Sequence, residues 1–129
     1  HGSAAIADIM IPKLLSPETI RTRPETVQRV RMMIEGNQVS GIAGDLMAMA
    51  ERPDSIPLLK QIICPTQIVV GEMDHATPLA DAKLMADQTP GARLAIIPEA
   101  AHLANLEQPK LFTHIVRSFI ENVAETRRH

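Results

Sequence analysis

Aromatic residues are nearly absent from this 129-residue sequence, which contains two Phe and neither Trp nor Tyr. The hydrophobic fraction is nonetheless 45%, and seven Met residues contribute to it, so an aliphatic core can form. The single Cys excludes a disulfide within the chain and suits a reducing compartment, so we expect a cytoplasmic protein. A chain of this length fits one domain.

Long apolar runs and basic clusters are also missing. A membrane-spanning helix needs about 20 apolar residues, and no run reaches that length, nor is a signal peptide visible. The formal net charge is −2 without a basic block, which argues against nucleic acid as a partner. We therefore expect neither a membrane nor a nucleic acid as partner. Residues 1–3, His-Gly-Ser, look like a tag scar and are excluded from the fold prediction.

Two short β-branched runs are the clearest structural signal in the sequence. They are IVVG from Ile68 and RLAIIP from Arg93, each bounded by turn residues, and both predict strands. The segment between them predicts a helix with Thr77 as its cap and Pro78 in its first turn. A strand, a helix and a strand in that order predict a parallel pair.

A carboxylate and an imidazole follow these two strands. Asp74 comes just after the first strand and His102 just after the second. Because open α/β sheets carry their active sites at the carboxyl ends of parallel strands, we expect the two side chains to lie together. An imidazole with a pKa of about 6.5 suits a general base. A surface histidine and an ordinary turn aspartate are the alternatives, and Asp81, one turn into the helix, is the nearest rival carboxylate.

The remaining reactive side chains predict no further chemistry. His75 and His114 do not form a standard metal-ligand spacing with Asp74 and His102, so we expect no metal and no cofactor. We expect His114 to be solvated on the last helix and Cys64 to be buried by packing.

The chain before these strands has helical signals. Ser16 is a predicted N-cap with Pro17 in the first turn. Further helices are predicted from Pro24 to Gly36, from about Val39 to Glu51, and from a cap at Ser55 to Ile62. The predicted organisation is a tag scar over 1–3, a helical segment over 4–62 and an α/β segment over 63–129 that carries Asp74 and His102. The α/β segment ends in a helix from near Pro109, with an apolar stripe that should lie on the sheet.

The region from Pro65 to Phe119 resembles the C-terminal part of the α/β-hydrolase family. The resemblance rests on Gly71-Glu72-Met73-Asp74 after the first strand, on Ala101-His102-Leu103 after the second, and on Glu107-Gln108-Pro109. It implies that Asp74 and His102 are the acid and base of a catalytic triad. Ala101 stands where the family usually has Gly, which predicts crowding of the His loop. We expect Glu107 to cap the last helix and brace that loop.

The resemblance also implies a fold and an activity. Residues 4–62 resemble the helical lid of these enzymes, and the run from Pro24 to Pro65 is most like the 3-oxoadipate enol-lactonase and carboxylesterase branch. The expected fold is the C-terminal fragment of an α/β hydrolase, with a lid segment followed by a parallel β-α-β-α unit. No G-x-S-x-G motif, the nucleophile elbow, occurs in the sequence. The implied function is hydrolysis of a small-molecule ester or lactone in the full enzyme, with the chain alone inactive.

Two alternatives to an inactive fragment stay open at this stage. The nucleophile half can lie on another chain, which would make an active hydrolase of two parts. Alternatively, the chain can be a non-catalytic, self-associating interaction module derived from the hydrolase fold. Two strands with a helix on each face make a thin core, so we expect a homo-oligomer, most simply a dimer, or a missing N-terminal half.

Overall fold

The computed structural model describes residues 2–126 and 128, and its first part is helical, as the sequence predicts. The first and third helices pack against each other, and the short second helix lies against the third. The elements are α1 (Ser3–Leu14), α2 (Pro17–Thr22), α3 (Pro24–Glu35) and α4 (Val39–Ala50), followed by a 3₁₀-helix over Ile56–Gln61.

The two predicted serine caps have different outcomes. Ser16 is the N-cap of α2, and its hydroxyl oxygen accepts a hydrogen bond from the Thr19 N–H at 3.2 Å, so that prediction is confirmed. Ser55 occupies the predicted N-cap position of the 3₁₀-helix, but its side chain makes no cap hydrogen bond. The Ile56 N–H instead donates to the Asp54 carboxylate at 2.9 Å. An aspartate two residues before a free N–H accepts its hydrogen bond as readily as a serine does, so the position of the cap was predicted but the side chain that makes the bond was not.

Helix α4 is apolar in composition but has no buried residue. Val39, Leu46 and Met49 of this helix are exposed to 45%, 52% and 58%. Gly41 and Gly44 have open space around them rather than a closely packed neighbour. The apolar side of α4 is therefore a surface in this structure.

The C-terminal part is an α/β unit, and its fold class is confirmed. Strands β1 and β2 pair in parallel, with Gln67 opposite Arg93 and Gly71 opposite Ile97. Helix α5 connects the strands and contacts both. The elements are β1 (Gln67–Gly71), α5 (Leu79–Gln88), β2 (Arg93–Ile97), α6 (Ala104–Glu107) and α7 (Pro109–Thr126).

Helix α7 covers the sheet only in part. Phe112 and Ile115 pack against buried residues next to β2. No residue of α7 is fully buried, and Ile120 is 59% exposed. Part of the predicted apolar stripe is therefore open to solvent instead of packed on the sheet. No helix in the described part of the chain combines the length and the apolar character needed to cross a membrane.

Two hydrophobic clusters in the part of the chain that the structure describes share one chain segment. The helical cluster is built on α1 and α3, and the sheet cluster lies at the end of β2. Residues 100–107 contribute to both: Leu103 and Leu106 pack on the helical cluster, while Ala100 and Ala104 are buried in the sheet cluster. The segment that carries His102 is therefore the joint between the two parts.

Candidate active site

The loops that follow β1 and β2 are joined through their backbones. The Glu72 N–H donates to the Ile97 carbonyl and the Met73 N–H to the Ala100 carbonyl, both at 2.9 Å. Gly71 allows this approach, because a Cβ atom there would lie 2.2 Å from the Ala101 oxygen. A glycine at this position therefore lets the two loops touch.

Asp74 is 7% exposed and both of its carboxylate oxygens are hydrogen-bonded. Its Oδ1 accepts from the backbone N–H groups of Ala76 and Thr77, each at 2.9 Å. Its Oδ2 accepts from the Thr77 hydroxyl at 2.8 Å and lies 3.0 Å from Nδ1 of His102. The structure thus brings the two predicted residues into direct contact.

The surroundings of Asp74 favour its ionised form. Burial raises the pKa of this carboxyl, but hydrogen bonds from the Thr77 backbone, the His102 ring and the Thr77 hydroxyl outweigh burial. The net effect lowers the pKa of Asp74 below its ordinary value of 3.8. The residue is therefore an anion at neutral pH and can orient the imidazole beside it.

His102 lies at the surface end of this pair, with 35% of its side chain exposed. Both of its recorded polar contacts involve Nδ1, which is 3.0 Å from Asp74 and 3.2 Å from the Thr77 hydroxyl. A neutral ring that holds its proton on Nδ1 has an acceptor at Nε2. The arrangement suits a ring that takes a proton from an incoming hydroxyl group.

Thr77 is the site residue that the sequence interpretation missed. It was predicted to cap α5, but that helix begins at Leu79 with Pro78 as its N-cap. The Thr77 hydroxyl points instead to the contact between Asp74 and His102. The sequence signal that could have found it is the spacing from Asp74 to Thr77. An Asp carboxylate often accepts hydrogen bonds from backbone N–H and hydroxyl groups two or three residues later in a turn.

The pair opens into a cleft of about 170 Å³ next to β1 and α5. Aliphatic side chains form one part of the wall, and Asp74, Thr77 and His102 supply polar groups. Asp81, the rival carboxylate, lines the same cleft but makes no recorded hydrogen bond to His102. The lining includes Ile68, Val70, Met85, Asn105 and Phe112.

The other predicted side chains are also accounted for. Cys64, which precedes β1, is exposed, so the prediction that it packs in the interior is wrong. His75 and His114 are exposed, the latter on α7 as expected. Within the described residues, no group of three or more His, Cys, Asp or Glu side chains has the arrangement of a metal site.

Ala101 does not adopt the left-handed backbone conformation that would favour glycine. Among residues 2–126 and 128, Glu99 is the one non-glycine residue with a positive φ, at 56°. Ala101 is buried with an ordinary backbone, and its N–H donates to Glu107 at 2.7 Å. Glu107 thus braces the His loop as predicted, but it belongs to α6 and does not cap α7.

No protein-family model matches the sequence. It is 28% identical over 121 residues to 3-oxoadipate enol-lactonase 2 of Acinetobacter baylyi, a match that covers 94% of this chain and 45% of that enzyme. A thermophilic esterase from Thermogutta terrifontis superimposes with a TM-score of 0.89 at 37% identity, over 94% of this chain and 44% of the esterase. The relatives and structural neighbours of the chain are α/β hydrolases.

A second solved α/β hydrolase supports the same placement. The enol-lactonase of Burkholderia xenovorans LB400 superimposes with a TM-score of 0.85 at 25% identity, over 91% of this chain and 44% of that enzyme. The chain spans less than half the length of the relatives that it matches, and the match is to their C-terminal half. The predicted resemblance to this part of the hydrolase fold is confirmed.

Replacing Thr77 with Val should weaken the site without disrupting the fold. The variant loses the hydroxyl bond to Asp74 but keeps the backbone bond, so the pKa of Asp74 should rise. We expect a cost of about 1 kcal/mol in the free energy of unfolding. Carbon-13 NMR titration of the Asp74 carboxyl measures the first effect and urea unfolding the second. Thr113→Val, at an exposed position of α7, is the control, and an equal effect in both variants would contradict the assignment.

The contribution of Asp74 to stability should depend on pH. Because its pKa is lower in the folded chain, its stabilisation is present above the ordinary value of 3.8 and is lost as the pH falls through the folded value. Urea unfolding at about pH 7 and about pH 2.5 should therefore show the difference between wild type and Asp74→Asn shrinking in acid. Asp45→Asn, at an exposed position of α4, is the control variant. A difference that is the same at both pH values would argue against an ionised, hydrogen-bonded Asp74.

Proposed function

We propose that this chain supplies the acid and base of an α/β hydrolase that cleaves carboxylic esters or lactones. The observation that carries the proposal is the 3.0 Å contact between His102 and the buried Asp74 at the mouth of a cleft. The names of its relatives, an enol-lactonase and an esterase, support the ester and lactone class. The nucleophile comes from outside these 129 residues, since the sequence has no G-x-S-x-G motif.

In the proposed reaction, His102 moves the proton and Asp74 holds the ring. Nε2 of His102 takes the proton of a serine hydroxyl as its oxygen attacks the carbonyl carbon. The Nδ1–H group donates to Asp74, which stabilises the imidazolium without taking its proton. The ring then passes the proton to the leaving alkoxide, and water releases the acyl group by the same steps. In a lactone, the leaving alkoxide and the acyl group are parts of one molecule.

The proposed architecture follows from the similarity of the chain to the C-terminal half of the enol-lactonase and the esterase. Residues 4–62 are the lid and residues 63–129 the last part of the hydrolase sheet. Apolar side chains in both parts are open to solvent, among them Met32 and Met47 at 64% and Ile63 at 98%. A surface of this kind favours burial against another chain segment. In this proposal the N-terminal half of the hydrolase fold covers it.

The test is reconstitution. The chain alone should not react with a fluorophosphonate probe and should not hydrolyse p-nitrophenyl acetate. Fusing the unmatched part of the Thermogutta terrifontis esterase to this chain should give a folded protein that does both. Labelling of the isolated chain by the probe would contradict the proposal that the nucleophile lies outside these 129 residues. A cooperatively folded fusion without esterase activity would contradict the proposed role of Asp74 and His102.

The exposed apolar surface also favours a second candidate, a self-associating module without catalysis. In that case two copies of the chain cover the surfaces of α4 and of the strand edge for each other. Sedimentation at micromolar concentration would then give a dimer, and Asp74→Asn with His102→Ala would leave it intact. A monomer that assembles only with the esterase half would remove this candidate.

A further inference from the structure

Glu107 is a buried carboxylate that lies between the two parts of the chain. It is 1% exposed and among the largest fully buried side chains. Its Oε1 accepts from the Ser16 N–H at 2.8 Å, and its Oε2 accepts from the Ala101 N–H at 2.7 Å. Ser16 is the N-cap of α2, whereas Ala101 immediately precedes His102. One side chain thus ties the helical segment to the His loop.

The burial of both donors makes this bridge hard to replace. Ser16 is 0% and Ala101 is 2% exposed, so water cannot take the place of the carboxylate at either N–H group. A buried donor that loses its acceptor pays its full desolvation cost. The two N–H groups are 85 positions apart in the sequence, so local backbone geometry does not hold them together.

Two further hydrogen bonds cross between the same segments. The Leu103 N–H donates to the Leu14 carbonyl at 3.1 Å, and the Arg23 guanidinium donates to the Glu107 carbonyl. Leu103 also packs on the helical cluster. The residues on both sides of His102 are therefore fixed to the junction of α1 and α2, while the imidazole itself contacts Asp74 and Thr77.

From this arrangement we propose that Glu107 is a positioning residue that couples the junction of α1 and α2 to the His102 ring. Displacing this junction shifts Ala101 and draws the imidazole away from Asp74. In the full enzyme, movement of the helical segment would then change the alignment of the base. That last step rests on the proposed function, whereas the coupling itself is a property of the chain and is tested without activity.

A proline at position 16 tests the coupling from the side opposite to His102. Ser16 has φ −66° and the preceding Leu15 has φ −119° and ψ 148°, so the backbone already suits a proline. Ser16→Pro removes the N–H donor and places ring carbon where the Glu107 oxygen lies. Ser16→Ala is the matched control, because it loses the hydroxyl cap but keeps the N–H group. Glu107→Gln, compared with the exposed Glu121→Gln, probes the bridge directly.

The readouts are the nitrogen-15 shifts of the His102 ring and the carbon-13 titration of Asp74. In Ser16→Pro and Glu107→Gln, the nitrogen-15 shifts of the His102 ring should show that its hydrogen bond to Asp74 is lost. The pKa of Asp74 should rise toward its ordinary value. In Ser16→Ala and Glu121→Gln both should stay as in the wild type. The unfolding equilibrium should shift by about tenfold or more in Glu107→Gln. Variants that fold, lose stability and leave both readouts unchanged would reduce Glu107 to a structural role and overturn the proposal.

A measurement on the wild type covers the case in which these variants do not fold. Native-state hydrogen exchange reports the opening free energy of each amide. If Glu107 links them, the Ser16 and Ala101 amides should open together, with equal free energies and equal denaturant dependence. Separate opening of the two amides would contradict the coupling. An inactive reconstituted enzyme would leave this result untouched, so failure of the proposed function and failure of the coupling are distinguishable.

Discussion

Gly71→Ala should destabilise the chain by about 3 kcal/mol or more and separate His102 from Asp74. The added Cβ would lie 2.2 Å from the Ala101 oxygen and 2.4 Å from the Ala100 oxygen, distances that no side-chain rotation can relieve, because these are backbone atoms. Either β1 or the His loop must move. Thermal and urea unfolding measure the cost, and the nitrogen-15 signals of the His102 ring report the lost contact.

Gly41→Ala is the control for this prediction. Gly41 lies in α4 with open space around its Cα, so an added methyl group meets nothing. Ala is a better helix former than Gly, and we expect this variant to be more stable by up to about 1 kcal/mol. If Gly71→Ala were as stable as the wild type, the close approach of the two loops would be wrong.

In the reconstituted enzyme, His102→Ala should lower kcat by about 10⁶-fold, since it removes the group that takes the proton of the nucleophile in the proposed reaction. Asp74→Asn should cost about 10⁴-fold, because an amide facing Nδ1 favours the wrong tautomer of the ring. KM should change little if both residues act on the transition state rather than on substrate binding. Ester hydrolysis at saturating substrate measures these effects.

His75→Ala is the matched control for the histidine variant. His75 is next to Asp74 in the sequence but is exposed, and activity should stay within about twofold of the wild type. A double variant, His102→Ala with Asp74→Asn, should be no slower than the slower single variant, since the two residues act as one unit. Additive losses would argue that Asp74 does not act through His102.

Local patterns predicted most of the α/β part. The runs at Ile68 and Arg93 became β1 and β2, and their order with α5 gave a parallel pair, because a helix between two strands returns the chain to the end of the sheet where the first strand began. That topology alone places Asp74 and His102 at one edge of the sheet. The cap at Ser16 was equally local, as its bond reaches only three residues along the chain.

Residues whose surroundings come from distant parts of the chain were predicted less well. Cys64 was expected inside but is exposed, three residues before the start of β1. Thr77 was assigned to a helix end, although its hydroxyl serves the contact between Asp74 and a histidine 25 positions later. Sequence spacing reports backbone preference, and it contains no information on which distant side chain arrives next to a hydroxyl group.

The sequence by itself determined the order of helices and strands, the parallel pairing and the carboxylate and imidazole at the strand ends. These features follow from the hydrophobic period, the turn residues and the order of the elements along the chain. Only the tertiary structure decided the carboxylate bridge from Glu107 to Ser16 and Ala101, the close backbone approach at Gly71 and the third polar group beside His102. These features depend on distances between residues far apart in the chain, and such distances are set by packing rather than by local preference.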